Sequence, residues 1–263
     1  MSEIPFHHNF QDSPEPPPLP RKEPWNVWWT LLWGFLGMIL LGLGQTVGVL
    51  IAMIYGGDFV MDEKAFQKVL KIYSGDGDVA GFITLVCILF VCPFCWLVGH
   101  KLKDWNGWEY LGNRDTPILQ YLAWSFGLML MVILFGLLAP YLGITDTPES
   151  MKQMGRTTDF PLLLFLGVAL GAPLTEEFIF RGVLFRGLAA SRLGVAGAIL
   201  LPGFVWAVIH LQYQWPHILL IFLMSLILGL ARYCTGSIWV PTFMHAINNG
   251  FAAMGMLLSD QLT

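Results

Sequence analysis

Two adjacent carboxylates, Glu176 and Glu177, stand in the stretch Ala172-Pro173-Leu174-Thr175-Glu176-Glu177-Phe178-Ile179-Phe180-Arg181-Gly182, and they are the only acids between Phe160 and Ser259. An ionisable group inside a long apolar run is costly in lipid and is therefore read first as functional. On a helix, Glu177 and Arg181 are four residues apart with the acid first, the order that favours an ion pair along one face. Glu176 projects about 100° from Glu177 and about 140° from Arg181, at 3.6 residues per turn. It has no counter-ion on its own helix, and a carboxylate in that state is a strong proton acceptor, as a general base must be. Pro173 lacks an N–H and crowds the carbonyl of Ala169, which predicts a kink beside the acids.

Two imidazoles complete the set. Trp206-x-x-x-His210 and His245-x-x-x-Asn249 each place two side chains on one helix face. With apolar segments centred near Glu176, residue 206 and residue 247, His210 lies about 6 Å and His245 about 3 Å from the midplane, so the groups can meet at one depth. A single histidine or asparagine in an apolar helix is commonly a packing residue or interhelical glue. Glutamate, histidine, and histidine with asparagine on successive segments satisfy one another, since none finds a full partner on its own helix. Two chemistries use such a set. In one, Glu176, His210 and His245 hold a zinc ion with water in the fourth position. In the other, Glu176 and a histidine activate water directly, while the second histidine and Asn249 donate to the oxyanion of a tetrahedral intermediate. Asparagine is a poor zinc ligand and a good oxyanion donor, which favours the second.

The elements that position these groups must be membrane helices. Of 263 residues, 56% are hydrophobic and 12% charged, and the mean hydropathy is +0.63. Charge-free runs cover Asn26 to Gly57, Val79 to His100, Thr116 to Thr145, Leu193 to Ala231 and Tyr233 to Ser259, each long enough for a bilayer that needs about 20 apolar residues. With the acid-bearing run from Phe160, and with Leu193 to Ala231 divided by Gln212, Gln214 and Pro216, the pattern predicts an all-α polytopic protein with about seven transmembrane helices. The net charge of −4 and the absence of a basic face exclude a nucleic-acid partner, and the composition excludes a secreted disulfide scaffold.

The predicted organisation is a disordered proline-rich tail over residues 1–25, N-terminal transmembrane helices over 26–145, a polar loop over 146–159 and a catalytic bundle over 160–258. Gly44-x-x-x-Gly48 in the first segment invites close approach by another helix. Gly56 to Asp78 reads as a charged, solvated loop. Nine Lys and Arg fall on the side of the N-terminus and five on the other, which orients the N-terminus inward. The first segment reads as a retained anchor and the whole as a multi-pass protein of a bacterial cytoplasmic membrane.

Glu176-Glu177-x-x-x-Arg181, then Trp206-x-x-x-His210, then His245-x-x-x-Asn249, in this order on successive apolar segments, resembles the CAAX-processing and bacteriocin-processing family (CPBP, also called Abi) of intramembrane proteases. The resemblance covers about Phe160 to Asn249. It implies an intramembrane endopeptidase acting on a membrane-associated protein or peptide. It also implies that Glu176 and His210 act on water, that Glu177 and Arg181 form a structural pair, and that His245 and Asn249 lie at the oxyanion. The family is commonly labelled a metalloprotease, and zinc remains an open alternative here. Its second motif usually begins with Phe; Trp206 in that place implies a reshaped cavity wall.

The competing reading is a non-catalytic membrane protein, a bacteriocin immunity factor or a proton-coupled transporter, although no duplication of the Glu-Glu segment is visible in the first three spans. Cys92-Pro93-Phe94-Cys95 lies within an apolar segment and reads as packing cysteines. His7 and His8 fall in the tail and His100 at a membrane boundary, and His217, just after Pro216, is the reserve candidate for the site.

Overall fold

The computed structural model describes residues 22–102, 105–143 and 148–258. Most of the proline-rich tail, with His7 and His8, lies outside the described residues. The described chain is all helical: α1 (Val27–Gly56), α2 (Glu63–Ser74), α3 (Gly77–His100), α4 (Gly107–Leu111), α5 (Ile118–Leu138), α6 (Glu149–Thr157), α7 (Pro161–Ala190), α8 (Gly194–Val208), α9 (Trp215–Thr235) and α10 (Trp239–Leu258). Among the described residues five helices, α1, α3, α5, α7 and α9, are long and apolar enough to cross a membrane. The other two apolar segments expected to span fall short of that description. α8 has 15 residues, and α10, with 20, carries His245, Asn248 and Asn249, which turn to the interior of the bundle.

Helix ends follow local chemistry. The side chains of Asn26, Asp62, Asp76 and Asn106 accept from backbone N–H groups at the starts of α1, α2, α3 and α4, satisfying donors that have no partner inside the helix. Gly57, Gly112 and Gly236 end α1, α4 and α9 in the left-handed conformation. The stretch expected as a charged loop from Gly56 to Asp78 instead contains α2, whose apolar Phe66, Val69, Leu70 and Tyr73 recur at helical spacing beneath the charges. The polar 146–159 segment likewise contains α6. In both, the density of charge hides a short amphipathic helix.

α1 packs along α3 through the predicted small-residue face. A Cβ on Gly44 would lie 3.1 Å from Cys87 Sγ, and one on Gly48 would lie 2.8 Å from Ile83. A backbone-to-backbone crossing joins α3 to α7, where a Cβ on Gly81 would stand 2.6 Å from the Leu163 carbonyl carbon and one on Gly167 would stand 2.5 Å from the Gly81 Cα. The bundle core runs from Val91 and Cys95 of α3 through Phe178 to Leu188 of α7 to Met224 and Leu228 of α9 and Met244 of α10. Cys92 and Cys95 are unpaired, with Cys95 buried in this core, as packing cysteines should be.

Two of the nine cationic residues counted toward the N-terminal side are interior. Arg181 and Arg232 are 2% and 3% exposed and serve packing rather than orientation. Arg232 Nε donates to the Arg181 carbonyl at 2.9 Å and its Nη2 to the Leu111 carbonyl at 3.3 Å, joining α9, α7 and α4.

At the Gly81 crossing, backbone meets backbone and cannot yield as a side chain would. Gly81→Ala is expected to lower stability by about 1–3 kcal/mol, read as a lower midpoint of thermal unfolding in detergent. Gly42→Ala, where nothing lies within 4 Å, should leave the midpoint in place.

Candidate active site

α7 is a 30-residue helix interrupted by two π-helical stretches, Gly167–Gly171 and Phe178–Val183. A single α-helical stretch, Ala172–Glu177, lies between them and ends on the two acids. Pro173 explains the first stretch. In the π register the Ala172 N–H bonds to the Gly167 carbonyl, and the next bond would join residue 173 to Val168, but proline has no N–H to give. The Val168 carbonyl instead accepts from Asn249 Nδ2 of α10 at 3.1 Å. The disturbance expected at Pro173 is thus a change of helical register, matched by a side chain 81 residues away. Such π segments are frequent at functional sites.

Glu177 is fully buried and Arg181 is 2% exposed. Arg181 Nη1 donates to Glu177 Oε1 at 2.8 Å. Arg181 Nη2 donates to the Ser225 hydroxyl at 2.7 Å and to the Ser225 carbonyl at 3.1 Å on α9. Glu177 Oε1 also accepts from His245 Nδ1 at 3.0 Å. A carboxylate can only accept here, so Nδ1 carries the proton and His245 turns Nε2 toward Glu176, 4.0 Å from its Oε2. The acid expected to serve only as a structural partner therefore also orients a histidine.

Glu176 is 16% exposed and faces a cavity. Its Oε2 accepts from Trp206 Nε1 at 2.5 Å. His210, one turn after Trp206, has its Nδ1 2.7 Å from the Trp206 carbonyl. That carbonyl accepts the Nδ1 proton and leaves Nε2 as the acceptor nitrogen. The cavity, about 470 Å³, is lined by Glu176, Trp206, His210, His245, Asn248 and Asn249, together with Tyr213, His217 and apolar residues of α5, α6, α9 and α10. Glu176 lies fifteen residues along α7, about 22 Å from that helix's start.

Glu176 of α7, Trp206 of α8, His210 in the turn just past the end of α8, and His245 and Asn249 of α10 thus share one cavity, while Glu177 and Arg181 lie buried behind it. His217 lines the same wall, and its Nδ1 is buried without a hydrogen-bond partner. Tyr213 stands between the two histidines, its ring 6.1 Å from His210 and 6.3 Å from His217. Burial pushes the Tyr213 phenol above its ordinary range, which keeps it a hydrogen-bond donor. Ser225, Tyr213 and Asn248 escape sequence reading, because a Ser or Tyr in or beside an apolar segment carries no spacing signal. Among the described residues, no three His, Cys, Asp or Glu side chains gather as metal ligands. Each of Glu176, His210 and His245 is held through one polar atom, Oε2 or Nδ1, and keeps the other, Oε1 or Nε2, as a possible donor, the pattern also found in ligating histidines.

Removing Arg181 would strand Glu177 as an uncompensated charge. Arg181→Ala should cost about 3–5 kcal/mol, measured as loss of the folded monodisperse protein on heating. Adding Glu177→Gln should restore part of that loss, since the stranded charge is gone.

A family model described as type II CAAX prenyl endopeptidase Rce1-like matches residues 158–251, the span that holds every residue named above from Glu176 to Asn249. Over 189 residues the chain is 26% identical to the membrane-embedded CAAX protease MroQ of Staphylococcus aureus (strain USA300), covering 68% of this chain and 75% of that protein. No solved structure matches the chain. With Glu176, His210, His245 and Asn249 in that order on one cavity inside an apolar helical bundle, the chain is similar to the CPBP family of membrane proteases.

Proposed function

We propose that this protein is an intramembrane endopeptidase that hydrolyses a peptide bond of a membrane-associated protein or peptide through a water activated by Glu176 and His210. The observation that carries the reading is the meeting of Glu176, His210, His245 and Asn249 on one cavity wall within an apolar bundle. CAAX proteolysis in the names of the family model and the Staphylococcus relative supports a substrate of that general kind.

In this reading Glu176 Oε1, which accepts no hydrogen bond from the described residues, takes a proton from water as its oxygen attacks the scissile carbonyl carbon. His210 Nε2 accepts the second water hydrogen and orients the attack. The carbonyl π electrons move to oxygen, and the oxyanion lies against donors from α10. Asn249 Nδ2 has one hydrogen committed to Val168 and one to give. His245 lies 3.0 Å from Glu177 and 4.0 Å from Glu176, and in this reading its Nε2–H is the second donor to the oxyanion. Collapse of the intermediate breaks the C–N bond, and Glu176 returns its proton to the leaving amine. No step is routed through a metal.

The experiment compares membrane proteomes of cells carrying wild-type protein or Glu176→Gln. Cleavage products present with wild type should vanish with Glu176→Gln, His210→Ala and His245→Ala, while purified variants keep the wild-type elution profile. Asn249→Ala should slow cleavage by about 10²–10³, the usual cost of one oxyanion donor. Unchanged products with Glu176→Gln would refute the assignment.

A further inference from the structure

α9 lines the cavity with His217, Leu220, Ile221 and Met224, a spacing that places these side chains on one helix face. His217 is the polar member of that stripe. Its Nδ1 is buried and finds no hydrogen-bond partner among the described residues, which leaves Nε2 as the nitrogen that can face the cavity. A leucine or phenylalanine would pack in the same space without burying an unpaired nitrogen, so packing alone gives no reason for an imidazole. An orphaned buried N–H is rarer in proteins than an under-used lone pair, which assigns the proton to Nε2. The ring also stands in the first turn of α9, just after Gln214, where the unpaired N–H groups of a helix oppose an added positive charge. His217 is then a neutral Nε2–H donor on the wall of a largely apolar cavity.

Tyr213 connects this donor to the reacting groups. Its ring stacks on His210 at 6.1 Å, with 18° between the planes, and lies 6.3 Å from the ring of His217. The two imidazoles therefore stand within about four residues of each other on an extended chain, which advances about 3.4 Å per residue.

We infer that His217 is a substrate-binding residue that donates Nε2–H to a main-chain carbonyl of the bound peptide, within about four residues of the bond to be cut. An uncharged donor suits an uncharged acceptor here, because an ion would have to shed its water to reach an apolar wall. The contact is the same before and during the attack of water, so it strengthens binding and leaves the chemical step alone. The inference rests on the protease reading of Glu176 and His210, and its test separates the two.

The proteome comparison identifies a cleaved bond, and a synthetic peptide spanning that bond becomes the substrate for purified full-length protein in lipid nanodiscs. His217→Phe should raise KM about five- to tenfold, the worth of one neutral hydrogen bond, with kcat nearly unchanged. His217→Gln, whose side-chain N–H falls near the place of Nε2, should recover most of the affinity. Peptide bonds replaced one at a time by esters, whose carbonyls accept more weakly, should reveal one position that raises KM in wild type and has little effect in His217→Phe. In ¹⁵N-histidine NMR of the peptide-free protein, the ring signals missing from His217→Gln should be those of a neutral Nε2–H tautomer. A protonated or Nδ1–H ring, a wild-type KM in His217→Phe, a loss in kcat instead of KM, or equal ester effects in both proteins overturns the binding role alone, provided Glu176→Gln is inactive. Wild-type products in cells carrying Glu176→Gln overturn the protease assignment beneath it.

Discussion

A carboxylate without solvent contact, in a helix surrounded by apolar side chains, has to be matched by the protein around it. Glu177 sets that demand here. Arg181 answers along the same helix, and His245 answers from α10. Arg181 in turn reaches Ser225 on α9. One buried charge thus ties three helices together at a single depth, and lipid offers no competing partner for any member of the set. The position of the histidine follows from the satisfaction of the acid, so the same contacts that tie the helices together also fix how the His245 ring is turned.

The helix carrying the acids is built to be irregular. Two π stretches flank the turn that ends in Glu176 and Glu177, and in each a backbone carbonyl is met by a side chain from another helix: Val168 by Asn249 and Arg181 by Arg232. Changes of register inside a membrane helix leave polar backbone groups exposed to lipid unless they are met in this way. The irregularity turns the two adjacent acids into different environments, one sealed against a cation and one open to a cavity.

Much of this architecture is legible in the amino-acid sequence. The apolar segments announce themselves by length, and α1 and α3 begin and end within a few residues of their charge-free runs. The Glu177–Arg181 pair is readable because its partners are four residues apart on one helix. The indole bond to Glu176, the serine contact of Arg181 and the Asn249 bond to the Val168 carbonyl are not, since they join residues 30, 44 and 81 apart and depend on how helices cross. The same limit explains Trp206, whose sequence position suggests only a larger wall residue and whose N–H points at an acid. The helices α2 and α6 are hidden for a different reason: their charges dominate any average over so short a stretch.

The lining of the cavity is also rich in methionine, with Met129 from α5, Met151 from α6, Met224 from α9 and Met256 from α10. An unbranched thioether chain has several rotamers of similar energy and reshapes itself around whatever lies against it. Such a surface discriminates weakly between apolar chains of different bulk and branching. Any selectivity in a cavity so lined then falls to its few fixed polar groups, which can hold main-chain amides, more than to the identity of the apolar side chains that lie against the thioethers.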